Sequence, residues 1–297
     1  NVRRQHRCCF RVSEDIFVEK GRGFSRPVNS STLSGEIHMT TAARKLLAAL
    51  ALGAVACTMT AQAGERLDKI NETKVIRVGT PADYRPFAMK EGEKLVGHDV
   101  DLIESMAKTA GWKVEYVVTP WKDLEAGIKG NKFDVAVGGT TQTLARAGYA
   151  DFLPGYAPFG KVALVNKKNK DRFTTPESLN DPSVRVIKNP GGTNEQYVLE
   201  HLKKAQVKTH DKNYEIPGMI AKDEGDVMIT ETAEAKLYVK KYPELHAAFL
   251  DHPLTPVSEM GFMMPTDDAD FTRSMRFLWR LMDIRGELDR LEDKWLD

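Results

Sequence analysis

Short apolar runs alternate with amphipathic stretches along most of this chain, from about residue 75 onward. The runs have the length of buried strands, and the stretches have the three-to-four spacing of surface helices. Such alternation is typical of βαβ units, in which helices connect parallel strands of one sheet. It predicts an α/β fold with mostly parallel sheets flanked by helices. The predicted strands are residues 75–79, 114–118, 135–138, 162–166, 184–188 and 227–230, and the predicted helices are 67–71, 100–110, 124–130, 194–205, 232–241 and one or two within 271–296.

Two proline-containing segments, residues 154–160 and 252–258, interrupt this pattern. If the chain crosses between two bodies at both segments, one lobe consists of residues 64–159 and 256–297, and the other of residues 160–255. Each lobe is then near the usual size of a domain, and the cleft between two such lobes is where ligands usually bind. We therefore expect a two-lobed protein with a ligand cleft between the lobes.

Residues 39–63 have the three parts of a secretory signal peptide. The basic pair Arg44-Lys45 precedes the apolar stretch 46–56, and Ala61-Gln62-Ala63 follows it. The apolar stretch is too short to span a bilayer, so we predict cleavage after Ala63, a periplasmic location and no membrane insertion of the mature chain. The alternative is a buried core helix.

The region before the predicted cut has two further features. Residues 1–38 begin with Asn1 and show no sustained apolar period, so we interpret them as a non-native upstream extension or a disordered tail. The three cysteines, Cys8, Cys9 and Cys57, all precede the cut, so the mature chain would form no disulfide. Cys57 could instead carry a lipid anchor, although the expected leucine before it is absent.

The formal net charge is only +1, with 43 basic and 42 acidic residues. Because a general electrostatic attraction needs a surface of one sign, we expect neither nucleic acid nor an anionic membrane as a partner. The histidines and acidic residues lack the spacing of zinc or calcium sites, and no Walker loop or nucleophile elbow is present. We therefore predict no metal and no cofactor, and recognition of a small molecule by local motifs.

One such motif is the stretch Asn-Pro-Gly-Gly-Thr-Asn-Glu at residues 189–195, which follows a predicted strand and opens a predicted helix. Glycines bring backbone amides close to a ligand, and a helix start favours an anion, so a carboxylate could bind there. Thr193 and Asn194 are the candidate binding side chains. The alternative is a plain turn in which Thr193 or Asn194 caps the helix.

A second motif, residues 138–146, also follows a predicted strand and ends in a single arginine. Gly139 and Thr141 offer an amide and a hydroxyl, and the guanidinium of Arg146 can hold a carboxylate through two parallel charge-assisted hydrogen bonds. We predict that Arg146 binds a ligand carboxylate. The alternative is a solvated arginine on a helix surface.

These motifs and others give the chain a family resemblance. The stretches Asp-Tyr-Arg-Pro-Phe at 83–87, Gly-His-Asp-Val-Asp at 97–101 and Phe-Asp-Val at 133–135, with the Thr-Thr-Gln-Thr-Leu-x-Arg segment at 140–146, resemble the type II periplasmic solute-binding proteins for amino acids. The resemblance covers nearly the whole predicted mature chain. It implies the two-lobed α/β fold already expected.

The resemblance also implies ligand-binding roles. The aromatic ring of Tyr84 would stack on the ligand, and Gly139, Thr141 and Arg146 would bind its α-carboxylate. In this family an acidic residue holds the α-amino group, and Glu231 stands at that position. The usual residue at that place is aspartate, and Glu231 has a longer side chain.

A narrower resemblance is to the cyclohexadienyl dehydratases, enzymes on the same fold that convert prephenate to phenylpyruvate or arogenate to phenylalanine. It rests on residues 189–195, 202–205 and 225–230 and on the Glu234-Ala235 step. It implies that Glu234 and Lys161 are catalytic. The substrate-binding residues that it adds or supports are Asp83, Trp121, Asn194 and Thr230.

General-acid catalysis would require Glu234 to be protonated near neutral pH. Burial or a nearby like charge raises the pKa of a carboxyl group, and Glu231, three residues earlier at a helix start, could supply that charge. The alternative is that both acids face the positive end of the helix in solvent.

Two functions therefore remain. The first is a periplasmic dehydratase acting on prephenate or arogenate, and the second is a non-catalytic amino-acid-binding protein that serves an ABC transporter permease. Glu234 together with Lys161 favours the enzyme, because an amino-acid receptor needs no acid at the far end of its ligand. The sequence leaves open which of the two substrates is preferred and whether the protein oligomerises.

Overall fold

The computed structural model describes residues 64–296, which belong to one compact unit. The predicted upstream extension, the predicted signal peptide and all three cysteines lie outside the described residues. Within residues 64–296, every helix is too short or too polar to cross a bilayer.

The described residues form fifteen strands and nine α-helices. The strands are β1 (Val75–Thr80), β2 (Asp83–Tyr84), β3 (Ala88–Glu91), β4 (Lys94–Val96), β5 (Lys113–Val118), β6 (Val135–Ala136), β7 (Ala150–Phe152), β8 (Tyr156–Phe159), β9 (Lys161–Asn166), β10 (Arg185–Lys188), β11 (Gln206–Thr209), β12 (Val227–Glu231), β13 (Leu245–Ala248), β14 (Ser258–Met260) and β15 (Met263–Pro265). The helices are α1 (Glu65–Thr73), α2 (His98–Ala110), α3 (Leu124–Lys129), α4 (Leu144–Ala147), α5 (Gly192–His201), α6 (Ile216–Ala221), α7 (Thr232–Lys241), α8 (Ala269–Ile284) and α9 (Glu287–Trp295).

Two five-stranded sheets carry the fold. The first has the strand order β5-β1-β6-β15-β7 and the second the order β11-β10-β12-β9-β13. In each sheet two neighbouring pairs are parallel and two are antiparallel, which leaves one reversed strand, β15 in the first and β9 in the second. The predicted α/β class with mostly parallel sheets is confirmed. Each reversed strand comes directly after a segment in which the chain passes from one sheet to the other.

The chain passes between the sheets twice, and the two passages pair with each other. β8 leads from the first sheet to the second, β14 leads back, and the two strands are antiparallel neighbours. The chain that leads back to the first sheet bonds both backbone groups of Lys161, the first residue of β9. The amide of Lys161 donates to Thr255 Oγ1 at 3.1 Å, and its carbonyl accepts from the amide of Leu254 at 2.8 Å. Strands β8 and β14, with the residues that join them to the two sheets, are called the hinge below.

The same arginine–aspartate clasp occurs once in each sheet. Arg77 in β1 binds Asp134, the residue before β6, through Nε at 3.2 Å and Nη2 at 2.7 Å. Arg185 in β10 binds Asp226, the residue before β12, at 3.2 and 2.8 Å. In both clasps the arginine amide also donates to the carboxylate at 2.8 Å. Each clasp thus fixes two parallel strands at their amino-terminal ends.

Some boundaries differ from the prediction. Helix α5 ends at His201 rather than at residue 205, and residues 206–209 form a strand, β11, that was not predicted. All four side chains of β11 are exposed, so the strand has no apolar signal. Strand β6 ends at Ala136 because Gly138 and Gly139 turn the chain with φ of 112° and 75°.

The hinge offers a test of close packing. A Cβ at Gly160 would lie 2.2 Å from Pro253 Cβ, so we expect Gly160→Ala to lower the free energy of unfolding by about 1–3 kcal/mol and the thermal midpoint accordingly. Gly218→Ala is the matched control, because its nearest heavy atom would be Tyr242 OH at 3.4 Å. Equal midpoints for the two variants in circular-dichroism melts would show that Pro253 does not confine Gly160.

Candidate functional site

A pocket lies where the carboxyl ends of strands from both sheets meet. Eight of the twelve predicted site residues line it, and the other four, Asp83, Lys161, Thr230 and Glu234, do not. The lining residues among the predicted twelve are Tyr84, Trp121, Gly139, Thr141, Arg146, Thr193, Asn194 and Glu231. Those that the sequence did not single out as site residues are Asn189, Gly191, Gly192 and Asn213.

The first sheet supplies a glycine turn braced by a buried acid. Asp99 Oδ2 accepts from the amides of Gly138 and Gly139 at 2.7 and 2.8 Å. A Cβ at Gly139 would lie 2.5 Å from Tyr84 Cδ1, so only glycine allows the turn to pack against this ring. The turn and Tyr84 therefore form one wall of the pocket.

Arg146 lies just beyond this turn, at the start of a helix. Its Nη1 donates to the carbonyl of Thr141 at 2.7 Å, and Thr143 Oγ1 accepts from the Arg146 amide, which caps α4. Burial lowers the pKa of the Arg146 guanidinium, and Tyr149 offsets part of that effect. A cation that has lost part of its hydration gains from binding an anion, so this position suits a carboxylate-binding group.

The second sheet contributes a buried ion pair between directly paired residues. Lys161 and Glu231 are partners in the antiparallel pairing of β9 and β12, and Nζ lies 3.0 Å from Oε1. Lys161 also donates to Thr193 Oγ1 at 3.0 Å and to Asn194 Oδ1 at 2.5 Å. Its ammonium therefore has three oxygen partners, which is its full donor capacity.

Glu231 is equally well bonded. Its Oε2 accepts a short hydrogen bond from Tyr84 OH and one from Asn194 Nδ2 at 3.2 Å, in addition to the Lys161 bond at Oε1. Burial alone would raise the pKa of Glu231, but the charge of Lys161 and these hydrogen bonds outweigh it, and the pKa lies below its ordinary value. Glu231 is therefore ionised at neutral pH.

Glu234, in the first turn of α7, has the opposite character. Its side chain is fully buried, Thr230 Oγ1 donates a short hydrogen bond to Oε2, and Asn213 Nδ2 donates to Oε1 at 2.9 Å. Burial, with smaller contributions from the charges of Glu231 and Asp83, raises its pKa well above 4.5, and the two hydrogen bonds offset only part of this. The alternative of two solvated acids at this helix start is therefore wrong.

Asp83 and Trp121 form a pair on the first-sheet side. Trp121 Nε1 donates to Asp83 Oδ1 at 2.9 Å, and the indole meets the Tyr84 ring edge-on at a centroid distance of 5.7 Å. Trp121 thus adds an apolar surface to the pocket, and Asp83 lies behind it as the fixed acceptor of its N–H. Burial raises the pKa of Asp83 to about 6, although the Trp121 hydrogen bond opposes the rise.

The glycine-rich stretch before α5 behaves differently from the prediction. The amide of Gly191 donates to Glu195 Oε2 at 2.7 Å. This amide, which the sequence predicts to bind a ligand anion, is therefore already bonded to a side chain of the protein. The helix N-cap is Gly191 rather than Thr193 or Asn194. Thr193 Oγ1 instead lies 3.4 Å from Thr141 Oγ1 across the cleft, and Asn194 bonds Lys161 and Glu231.

Asn213 is the main residue that the sequence did not reveal. It opens a 3₁₀ turn, Asn213–Glu215, shortly after β11, and it joins the pocket to Glu234. A polar residue after the carboxyl end of a parallel strand is a signal for a binding site. The signal was missed because β11 itself was not predicted. Within residues 64–296 no group of three or more potential ligands is arranged to hold a metal.

A model of the bacterial extracellular solute-binding proteins, family 3, matches residues 76–297, a range that includes every pocket residue. The chain belongs to this family. Among relatives of this family 3 solute-binding protein, a cyclohexadienyl dehydratase of Pseudomonas aeruginosa is 35% identical over 258 residues, which span 86% of the chain and 95% of that protein. The arginine-binding extracellular protein ArtP of Bacillus subtilis is 27% identical, over 85% of the chain and 98% of that protein.

Solved structures agree with the family. An ancestral amino-acid-binding protein, AncCDT-1, a precursor of cyclohexadienyl dehydratase, is 31% identical with a TM-score of 0.71, over 78% of this chain and 99% of that one. The two-lobed type II fold and the resemblance to both groups of proteins are therefore confirmed. The family 3 solute-binding proteins thus include, among the relatives of this chain, both ligand receptors and an enzyme.

The raised pKa of Asp83 gives a stability test. The folded pKa of about 6 lies above the ordinary value of 3.8, so the contribution to stability is complete below about pH 4 and is lost as the pH rises through 6. Asp83→Asn retains an oxygen acceptor for Trp121 but cannot titrate. From pH 4 to pH 7 we expect the wild type to lose more unfolding free energy than the variant in urea titrations, by on the order of 3 kcal/mol at most. Parallel pH curves for the two proteins would contradict this assignment.

Proposed function

We propose that this protein is a periplasmic cyclohexadienyl dehydratase that converts prephenate to phenylpyruvate by general-acid catalysis. The observation that carries the proposal is the contrast between two neighbouring acids, since Glu231 is ionised and fully bonded while Glu234 is buried with a strongly raised pKa. Environments that separate the pKa values of adjacent carboxyls are a recurring way to assign acid roles. The family and the 35% identical dehydratase support the same function.

The reaction requires a group that binds a carboxylate, an apolar wall and a general acid. Arg146 binds the side-chain carboxylate of the substrate, and Tyr84 and Trp121 provide an apolar wall for the ring. Glu234 protonates the ring hydroxyl, whose C–O bond breaks and releases water. The bond between the ring and its carboxylate breaks at the same time, and its electrons complete the aromatic ring as carbon dioxide leaves. Glu234 then regains a proton from solvent, so no cofactor or metal takes part.

The state of Glu231 argues against an α-amino acid as the preferred ligand. In an amino-acid receptor this carboxylate has to accept hydrogen bonds from the ligand ammonium. Here Lys161, Tyr84 and Asn194 already donate to it, and the charge of Lys161 neutralises it. An ammonium would have to displace one of these donors, and it would meet the positive charge of Lys161 nearby.

A non-catalytic amino-acid-binding protein, working with an ABC transporter permease, is the second candidate. It is favoured by the 27% identical arginine-binding relative and by the position of Glu234 outside the pocket lining.

One measurement distinguishes the two functions. Purified mature protein is incubated with prephenate, and phenylpyruvate is followed by its absorbance in alkali. Absence of turnover together with micromolar amino-acid binding by calorimetry would establish the receptor instead.

Glu234→Gln tests the general acid. The amide keeps the size of the side chain and removes the transferable proton, so we expect kcat to fall by about 10²- to 10⁴-fold with little change in the thermal midpoint. Glu177→Gln, at an exposed residue that does not line the pocket, is the matched control and should keep full activity. Wild-type kinetics in Glu234→Gln would remove Glu234 from the mechanism.

Because the acid must be protonated, kcat/KM of the wild type should fall as the pH rises through the raised pKa of Glu234. A profile that instead rises across the same range would mean that a carboxylate base, not an acid, limits the reaction.

Lys161→Met tests the choice of ligand. Loss of the ammonium removes the positive charge beside Glu231 and leaves that carboxylate available to a ligand ammonium. We expect the wild type to prefer prephenate over arogenate by about tenfold or more in kcat/KM, and the variant to lose this preference. Parallel assays of the two substrates measure the ratio. An arogenate preference in the wild type would contradict the inference that the existing hydrogen bonds of Glu231 exclude a ligand ammonium.

A further inference from the structure

Asn213 has an unusual environment for a buried amide. The residue is 2% exposed and lines the pocket, and its Nδ2 donates to Glu234 Oε1 at 2.9 Å. Its Oδ1 is buried and accepts no hydrogen bond from any residue in the part of the chain that the structure describes. Buried amide oxygens nearly always have a donor, so an unpaired one beside a pocket indicates a donor supplied by the ligand.

The proposed substrate has few groups that could fill this role. At neutral pH both carboxylates of prephenate are ionised and accept hydrogen bonds, and its ketone also accepts. The ring hydroxyl is therefore the one donor that the molecule offers. It is also the group that the reaction removes, and Glu234, which is bonded to the same amide, is the acid proposed to protonate it.

We propose that Asn213 binds the ring hydroxyl through Oδ1 and thereby presents the hydroxyl oxygen to Glu234. This inference rests on the proposed function. The hydroxyl hydrogen stays on its oxygen and points to Asn213 Oδ1, while the proton of Glu234 moves to a lone pair of the same oxygen. The C–O bond then breaks, and water leaves from its position beside Asn213.

Both the chemistry and the position of the Asn213 side chain suit it to orient the hydroxyl. An amide has a donor and an acceptor at fixed separation on one plane, so a single group can hold the acid and orient the hydroxyl. Asn213 opens its 3₁₀ turn, and β2, which belongs to the separate three-stranded sheet β2-β3-β4, contacts this turn. This contact and the hydrogen bond to Glu234 hold the amide in place, which limits the positions that the hydroxyl can take.

The test compares a ligand that has the hydroxyl with one that lacks it. In Asn213→Ala we expect kcat/KM for prephenate to fall by about 10- to 100-fold, while the inhibition constant of phenylpyruvate, the product without the hydroxyl, changes less than about twofold. Asn180→Ala, at a half-buried asparagine outside the pocket lining, is the control for general destabilisation. Circular dichroism establishes that both variants fold.

A second readout separates orientation from simple packing. Asn213 lowers the pKa of Glu234 by its hydrogen bond, so its removal should move the high-pH limb of kcat/KM to higher pH. Equal weakening of prephenate and phenylpyruvate, or an unmoved limb with unchanged kcat/KM, would overturn the role of Asn213 while leaving the dehydratase intact. Absence of turnover in the wild type would overturn both the function and this inference.

Discussion

Lys161 and Glu231 form an ion pair in the interior, and the hinge, the pocket wall and the neighbouring acid are all arranged around it. Two opposite charges are expensive to bury unless both are fully hydrogen-bonded. Lys161 meets this condition through Glu231, Thr193 and Asn194, and Glu231 through Lys161, Tyr84 and Asn194. Removal of either member would leave an uncompensated charge, which typically costs about 3–5 kcal/mol.

The position of this pair in the chain links chemistry to architecture. Lys161 is the first residue after the passage from the first sheet to the second, and Glu231 is the last residue of the strand that it pairs with. Tyr84, which lies in β2 of the three-stranded sheet β2-β3-β4, donates to Glu231 in the second five-stranded sheet, so the same carboxylate also joins the two halves of the pocket. The negative charge of Glu231 in turn adds to the effect of burial in raising the pKa of Glu234, because a second charge nearby is unfavourable.

The sequence predicted those parts of the molecule that have a local signal. Arg146 is predicted in the site because it follows a strand and a glycine pair, and Tyr84 and Glu231 are predicted there by the family resemblance of their motifs; all three line the pocket. Strand β11 has only exposed side chains and no such signal, so it was missed, and Asn213 with it. Two other features depend on side-chain packing that no local pattern encodes. Glu234 lies behind the pocket lining, and Glu195 accepts a hydrogen bond from the Gly191 amide.

The repeated arginine–aspartate clasp has a consequence for how such a molecule changes over generations. Arg77 with Asp134 and Arg185 with Asp226 fix the strands at their amino-terminal ends, whereas the pocket residues lie at the carboxyl ends. Substitutions in the pocket therefore leave the register of each sheet untouched. A frame secured in this way lets the side chains that contact the ligand vary while the two sheets keep the pairing of their strands.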